Sequence, residues 1–272
     1  MLDKIIKIAY NYVKRICGGY IMNLNDISEN IAKGVVACIE DAVGDSIRAD
    51  IISNRLSTTN SVPSRIWDFI NRNMKEFGFD DCVVSDTNRG PWQMTVVYDN
   101  KTQCVFTIMR EKRFNQLKKA QKKRNKMHYV DMLAKQFNSN LTCAYQQTSF
   151  FTEHHFDDEE RLSKLVQQLL SDLVDDIDLV NNHILVLFET IEHELISVRA
   201  VMITPSLDVA DNAELSWSQY ISNNSAIVEK VSSVDSINNS PNKGLKLSAK
   251  ATQRKKTNSR IKDSDIETLK NQ

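Results

Sequence analysis

Asp99, Glu111 and Lys112 are the residues whose types and order come nearest to phosphodiester chemistry. An Asp at the end of one strand and a Glu-x-Lys on the next can hold a divalent cation beside a scissile phosphate. The spacing is broken here, because Glu111 is followed at once by Lys112 and then by Arg113. The plainer expectation is that Asp99 shapes a turn and Glu111 pairs with a neighbouring Arg or Lys. His154 and His155, beside Glu153, Asp157 and Asp158, offer metal-ligand chemistry. Adjacent histidines point in different directions, however, so the expectation there is a solvated loop and helix cap. Glu189, Glu192, His193 and Glu194 lack the His-Glu-x-x-His order of a metalloprotease and read as exposed turn residues. No glycine-rich phosphate loop is visible among only seven glycines, and no Ser or Cys nucleophile can be matched with a base. The sequence therefore leads to no catalytic residue, no metal and no cofactor. Magnesium enters only under a nuclease alternative carried by Asp99, Glu111 and Lys112.

A second kind of chemistry is electrostatic. From Arg110 to Lys126 the chain holds nine cations, Arg110, Lys112, Arg113, Lys118, Lys119, Lys122, Lys123, Arg124 and Lys126, against the single acid Glu111. Like charges at this density repel one another, and either phosphates or an acidic protein surface would offset that cost. The bland expectation for any single Lys in such a run is a solvated helix face. Phe114 and Leu117 stand three apart, which predicts a helix with a narrow apolar stripe and a wide cationic face.

These residues need elements to hold them. Trp92, Met94, Val96 and Tyr98 alternate with mostly polar neighbours, and Val105 and Ile108 follow an Asp99-Asn100 turn, predicting a hairpin directly before the basic run. Upstream, Asp26 and Glu29 have capping-box spacing. Ile27, Ile31, Val35, Ile39, Val43, Ile47 and Ile51 then predict one long helix whose stripe drifts slowly around its axis. Pro63 starts a helix that stops near Gly78, and Cys82 to Val84 read as a short strand. Downstream, Val130, Leu133 and Phe137 form a further helical stripe. The charge sign then reverses, with nine acids between Glu153 and Asp178 against Arg161 and Lys164. Leu162, Leu165, Val166, Leu169, Leu170, Leu173, Val174 and Ile177 predict an amphipathic acidic helix over 158–178. Ile184 to Phe188 and Leu195 to Ile203 are strands about a Glu189–Glu194 turn, with Arg199 facing out, and Leu215 to Ile221 closes as a short helix. Trp67, Trp92 and Trp217 are expected as core anchors.

The chain of 272 residues has zero formal net charge, ordinary apolar content of 41% and five scattered cysteines without C-x-x-C spacing. These argue against a disulfide framework or zinc ribbon and fit a reducing cytoplasm. Residues 1–21 alternate apolar residues with Lys4, Lys7, Lys14 and Arg15, too charged for a membrane span. They read as a leading amphipathic helix ended by Gly18-Gly19, or as an over-extended start before Met22. After Tyr220 aromatics cease, and 243–262 carries eight cations and no acid. Residues 222–272 are therefore expected to form a disordered basic tail. In between, residues 22–221 are predicted to form a single α+β domain, with a central mixed or antiparallel sheet of about five strands packed by helices.

The central order of helix, three strands, helix, strand is shared by restriction-endonuclease-like nucleases, which is what raises the nuclease alternative. A different resemblance rests on Arg89-Gly90-Pro91-Trp92, Met109-Arg110-Glu111-Lys112-Arg113-Phe114, His128-Tyr129 and Trp217-Ser218-Gln219-Tyr220-Ile221. Together these are similar to an uncharacterised family of bacterial intracellular proteins over roughly residues 25–221. That resemblance implies no established activity or catalytic residue. It does imply an association with phage-defence or toxin–antitoxin neighbourhoods. The function expected from the sequence is a non-catalytic, nucleic-acid-associated accessory or regulatory protein, whose nine cations contact DNA or RNA backbone without reading sequence. The alternative is a protein-interaction module, in which the basic helix docks on an acidic partner or on the chain's own acidic helix.

Overall fold

The computed structural model describes residues 22–55, 57–89, 92–143, 159–174 and 176–222, with the backbone alone at Arg89, Trp92, Lys122 and 159–163. The leading segment, the basic tail beyond residue 222 and the His154-His155 group lie outside the described residues.

The predicted α+β class holds, with a mixed sheet at its centre. The sheet has six strands, not five, in the order β1 (Cys82–Arg89), β2 (Trp92–Asp99), β3 (Cys104–Arg110), β4 (Asn182–Ile191), β5 (Glu194–Ile203) and β6 (Val209–Ser216). Every neighbouring pair is antiparallel except β3 and β4, which run parallel with Cys104 opposite Asn182 and Arg110 opposite Phe188. The sheet is thus two three-strand meanders joined at one parallel seam. Between the seam strands the chain crosses over through α4 (Glu111–Ala120), α5 (Tyr129–Phe137) and α6 (Glu159–Leu170).

Strand periodicity sends alternate side chains to opposite faces. Phe106, Ile184, Val186, Phe188, Val198 and Ala200 face a core shared with α1 (Glu29–Asp41), α2 (Ile47–Ser53) and α3 (Val62–Glu76). Val105, Met109, Leu185, Leu187, Val201 and Ile203 face a second core, closed by Phe114 and Leu117 of α4, Val130 and Leu133 of α5, and Val166, Leu169 and Leu170 of α6. The result is a sheet between two helical layers.

The predicted first helix is interrupted. Ser28, and not Asp26, caps α1 by accepting from the Ile31 N–H. Residues Ala42–Ser46 then form a π-helical turn before α2. A four-residue apolar step drifts around an α-helix, and the wider i→i+5 turn rewinds that drift. Ile31, Val35, Ile39, Val43 and Ile47 consequently all stay buried, while Ile52 is 76% exposed. Helix α3 starts with Pro63 in its first turn, as expected. It ends before Gly78, whose φ of 71° lies in the left-handed region that favours glycine.

Four further boundaries differ from the sequence expectation. Strand β1 runs through the polar residues Ser85–Arg89 and pairs antiparallel with β2, Arg89 opposite Trp92, so the sheet has one more pair of adjoining strands than expected here. The acidic helix ends at Leu170, and Leu173 and Val174 are buried in a following turn. Strand β4 continues through Glu189 to Ile191, so the turn shrinks to Glu192 and His193, with Glu192 at φ 52°. Leu215 and Ser216 belong to β6, leaving Ser218–Tyr220 as a 3-10 turn beside fully buried Trp217.

Candidate nucleic-acid interface

Helix α4 is held on the sheet by Phe114 and Leu117, exposed 2% and 3%. Each contributes roughly 2 kcal/mol of burial, enough to offset the mutual repulsion of exposed cations. Glu111 opens the helix and Lys118 and Lys119 end it, so both ends complement the helix dipole. At 3.6 residues per turn, Lys112, Lys119 and, on the 3-10 turn Gln121–Lys123 that continues the helix, Lys123 fall opposite the buried stripe. Lys112, Arg113, Lys119, Lys123 and Lys126 are all exposed, and no ion pair to them occurs among the described residues. From Lys112 to Lys119 the helix advances roughly 10 Å. Lys112, Lys119 and Lys123 thus form an outward cationic ridge, with Arg113 exposed on the flank of α4 and Lys126 exposed beyond the 3-10 turn.

Three further cations of the run are engaged within the fold, which narrows the expectation that all nine contact phosphates. Lys118 pairs with Asp208 at 2.7 Å. Arg124 gives a two-pronged pair to Asp131, with Nη1 to Oδ2 at 2.7 Å and Nη2 to Oδ1 at 2.9 Å. Arg110 is half-buried, its guanidinium 5.8 Å from the centre of the Phe188 ring, and burial pushes its pKa down. The Arg110 Nε is buried with no hydrogen-bond partner among the described residues. The side chain of Lys122 lies outside the described residues. Among the described residues no ion pair joins the basic run to α6, whose Glu159 and Glu160 side chains lie outside them.

Asp99 and Glu111 are kept apart. Asp99 is 2% exposed at the β2–β3 turn, where its carboxylate accepts from the N–H groups of Lys101 and Thr102 and from the Thr102 hydroxyl. It sits opposite Cys104, at the far end of β3 from Glu111, so the two carboxylates stand roughly 23 Å apart along the strand. Glu111 accepts from Arg199, Nε to Oε2 at 3.0 Å and Nη2 to Oε1 at 2.6 Å, and Arg199 also meets Glu214 at 2.9 Å. Arg199 therefore does not face solvent as expected. Burial lowers its pKa, but its hydrogen bonds to Glu111 and Glu214 raise it further, leaving a net upward shift. Lys112 points away among the ridge cations. Asp99, Glu111 and Lys112 do not converge on one phosphate; a helix precedes three strands as expected, but three helices stand between β3 and β4. Among the described residues no group of three or more His, Cys, Asp or Glu stands together as a metal site.

Sequence reasoning missed a polar cluster on the same face of the sheet. Asn138 is fully buried at the end of α5. Its amide donates to the carbonyls of His183, at 2.8 Å, and Ile203, at 3.1 Å, and its oxygen accepts from the His183 N–H at 3.0 Å. It thereby replaces a ladder rung between β4 and β5 beyond their last pair, Leu185 with Val201. His183 is fully buried, with Nε2 2.8 Å from the Thr107 hydroxyl and Nδ1 unpartnered among the described residues. Burial drives its pKa down to about 3. Burial is likewise the main cause that pushes the Cys38, Cys82 and Cys104 thiols up to about 12, so none is a thiolate nucleophile at neutral pH. The signal available in sequence was faint: Asn138 is one of several polar residues that follow the apolar stripe ending at Phe137.

No helix among the described residues is long and apolar enough to cross a membrane. Compared with known proteins, residues 24–264 match the model of a family described as a family of unknown function, DUF5986. No curated protein and no solved structure matches the chain.

Proposed function

The chain belongs to this family of unknown function, as its sequence resemblance implied, and from the geometry of α4 we propose that it is a non-catalytic nucleic-acid-associated protein that grips phosphate backbone without reading sequence. The observation that carries this reading is the row of Lys112, Lys119 and Lys123, exposed on α4 and its 3-10 continuation opposite the side anchored in the core, with Arg113 and Lys126 also exposed in the same run. Cations with acidic neighbours would already be neutralised, whereas these five keep their field outward. Lysine and arginine in such a row suit the phosphates of either DNA or RNA, and nothing in the ridge is shaped to read base edges. A regulatory or defence-associated accessory role, as the sequence resemblance suggested, is compatible with such a module and forms part of the proposal.

The test is binding of a short labelled duplex and a single strand by fluorescence anisotropy at rising salt. The expected result is binding that weakens with a log–log slope of about 0.9 per neutralised phosphate on duplex DNA. Replacing Lys112, Lys119 and Lys123 together by Glu should cost about tenfold or more in affinity. The circular-dichroism melt should shift little, because these side chains are exposed and of the three only Lys119 sits in the last turn of α4. A wild-type chain that ignores DNA and RNA even at low salt would refute the proposal and favour an acidic protein partner.

A further inference from the structure

The ridge does not end with α4, and what shapes its far end is a buried carboxylate. Asp131, 3% exposed on the first turn of α5, gathers three donors from the preceding segment. Arg124 supplies its fork, the His128 backbone N–H donates to Oδ2 at 2.9 Å, and Gln121 Nε2 donates to Oδ1 at 3.4 Å. Gln121 Nε2 also donates to the Pro205 carbonyl at 2.9 Å, and neighbouring Lys118 reaches Asp208, so the same segment is tied to the loop after β5. Lys123 and Lys126 both stand exposed on the stretch that these bonds close, one on each side of Arg124.

We infer that Arg124 and Asp131 are positioning residues for polyanion binding: their clamp folds residues 121–128 so that Lys123 and Lys126 extend the α4 ridge. This inference rests on the proposed function. Among the described side chains, five cations are presented with the clamp intact, and without it Lys112, Arg113 and Lys119 remain on a fixed helical surface. Arg124 acts through geometry, since its own charge is spent on Asp131. A two-pronged guanidinium–carboxylate pair fixes orientation as well as distance, and a lysine ammonium cannot reproduce it.

The decisive variant is therefore Arg124→Lys, which preserves net charge. In anisotropy titrations of the full chain against a short duplex, the log–log salt slope of R124K should fall by about two contacts' worth, or roughly 1.8. Asp131→Asn should do the same. It also removes the charge that neutralises Arg124, so a compensating gain of one contact in D131N alone is expected to make its fall the smaller of the two. Trypsin cleavage after Lys123 and Lys126, slow in the wild type, should speed up in both variants. A slope equal to wild type in R124K, with the protein folded by circular dichroism, overturns the inference while leaving the proposed function standing. So does unchanged protection from trypsin. If R124K melts too low to titrate, Gln121→Ala provides the milder opening, with a partial fall in slope expected and an unchanged slope counting against the clamp. A wild-type chain that binds no nucleic acid refutes the proposed function, and the positioning role falls with it.

Discussion

The polar groups beneath α4 and α5 and the cations on the outside of α4 obey opposite rules. Asn138, His183, Thr107 and the Glu111–Arg199 pair lie within the fold, each held by named partners. Lys112, Lys119 and Lys123 stand in solvent, with no ion pair to them among the described residues. Polar groups inside must be satisfied, so removing one partner leaves the other stranded. Charges outside are already hydrated, and removing one costs the fold little. The difference teaches that a charge run in a sequence is not one object. Burial sorts it into side chains that build the fold and side chains left free to meet something else.

Acid should expose this contrast most strongly. His183 is neutral in the fold, with its pKa near 3, and takes a proton near 6.5 once unfolded. Below 6.5 the unfolded state binds the proton first, so His183 costs stability progressively as pH falls toward about 3 and costs nothing above 6.5. Urea melts from neutral to acid pH should show this limb flattened in His183→Gln relative to wild type. Parallel curves would mean that the histidine is protonated without penalty and that the inner region is less closed than described.

Next in size is Asn138→Ala. It strands the His183 N–H and two strand carbonyls, at an expected cost of about 3 kcal/mol in urea unfolding. A loss below about 1 kcal/mol would show that the β4–β5 end closes without it. Arg199→Met should cost about 2 kcal/mol, less than a fully buried pair because Arg199 keeps 26% side-chain exposure. Double-mutant cycles with Glu111→Gln should assign most of that loss to their mutual contact. At the small end, Lys112→Ala should change stability by no more than about 0.5 kcal/mol while weakening nucleic-acid binding. A larger stability change would move Lys112 from the outer class to the inner one.

Much of this division was readable before any coordinates. Phe114 and Leu117 marked the buried side of α4, and alternation marked β2 and β3. What could not be read was set by distant neighbours. Arg199 looked like an outward residue because its only visible context was its own strand, and Glu111 lies in another part of the sequence. Strand β6 carries Asp211, Asn212 and Glu214 between small residues, with Asn212 at φ 55°, so it had no alternating stripe to find. The expected strand stopped at Val84 because Ser85–Arg89 are polar, and the partners that hold Asp86 there come from other elements. Lys75 of α3 pairs with Asp86, and the Thr95 hydroxyl donates to Asp86 at 2.8 Å. The π-helical turn at Ala42–Ser46 left a trace in the unbroken four-residue apolar step, which a plain α-helix would have let wander off the core. Among the candidate site residues, the ridge lysines were identified by type, but Lys118 and Arg124 were indistinguishable from them until Asp208 and Asp131 came close in space.

The parallel seam between β3 and β4 has a kinetic consequence. Each meander pairs strands that are close in sequence, whereas the seam must wait for the whole crossover through α4, α5 and α6, so its closure dominates the loop entropy of folding. On the ribosome, β3 is finished long before β4 exists, and the edge of Cys104–Arg110, with Val105, Phe106, Ile108 and Met109, stays open meanwhile. The cationic run follows that edge directly in the chain. Nascent copies meeting at their open β3 edges therefore confront nine like charges in the adjoining seventeen residues, a built-in deterrent to pairing with each other before the proper strand arrives.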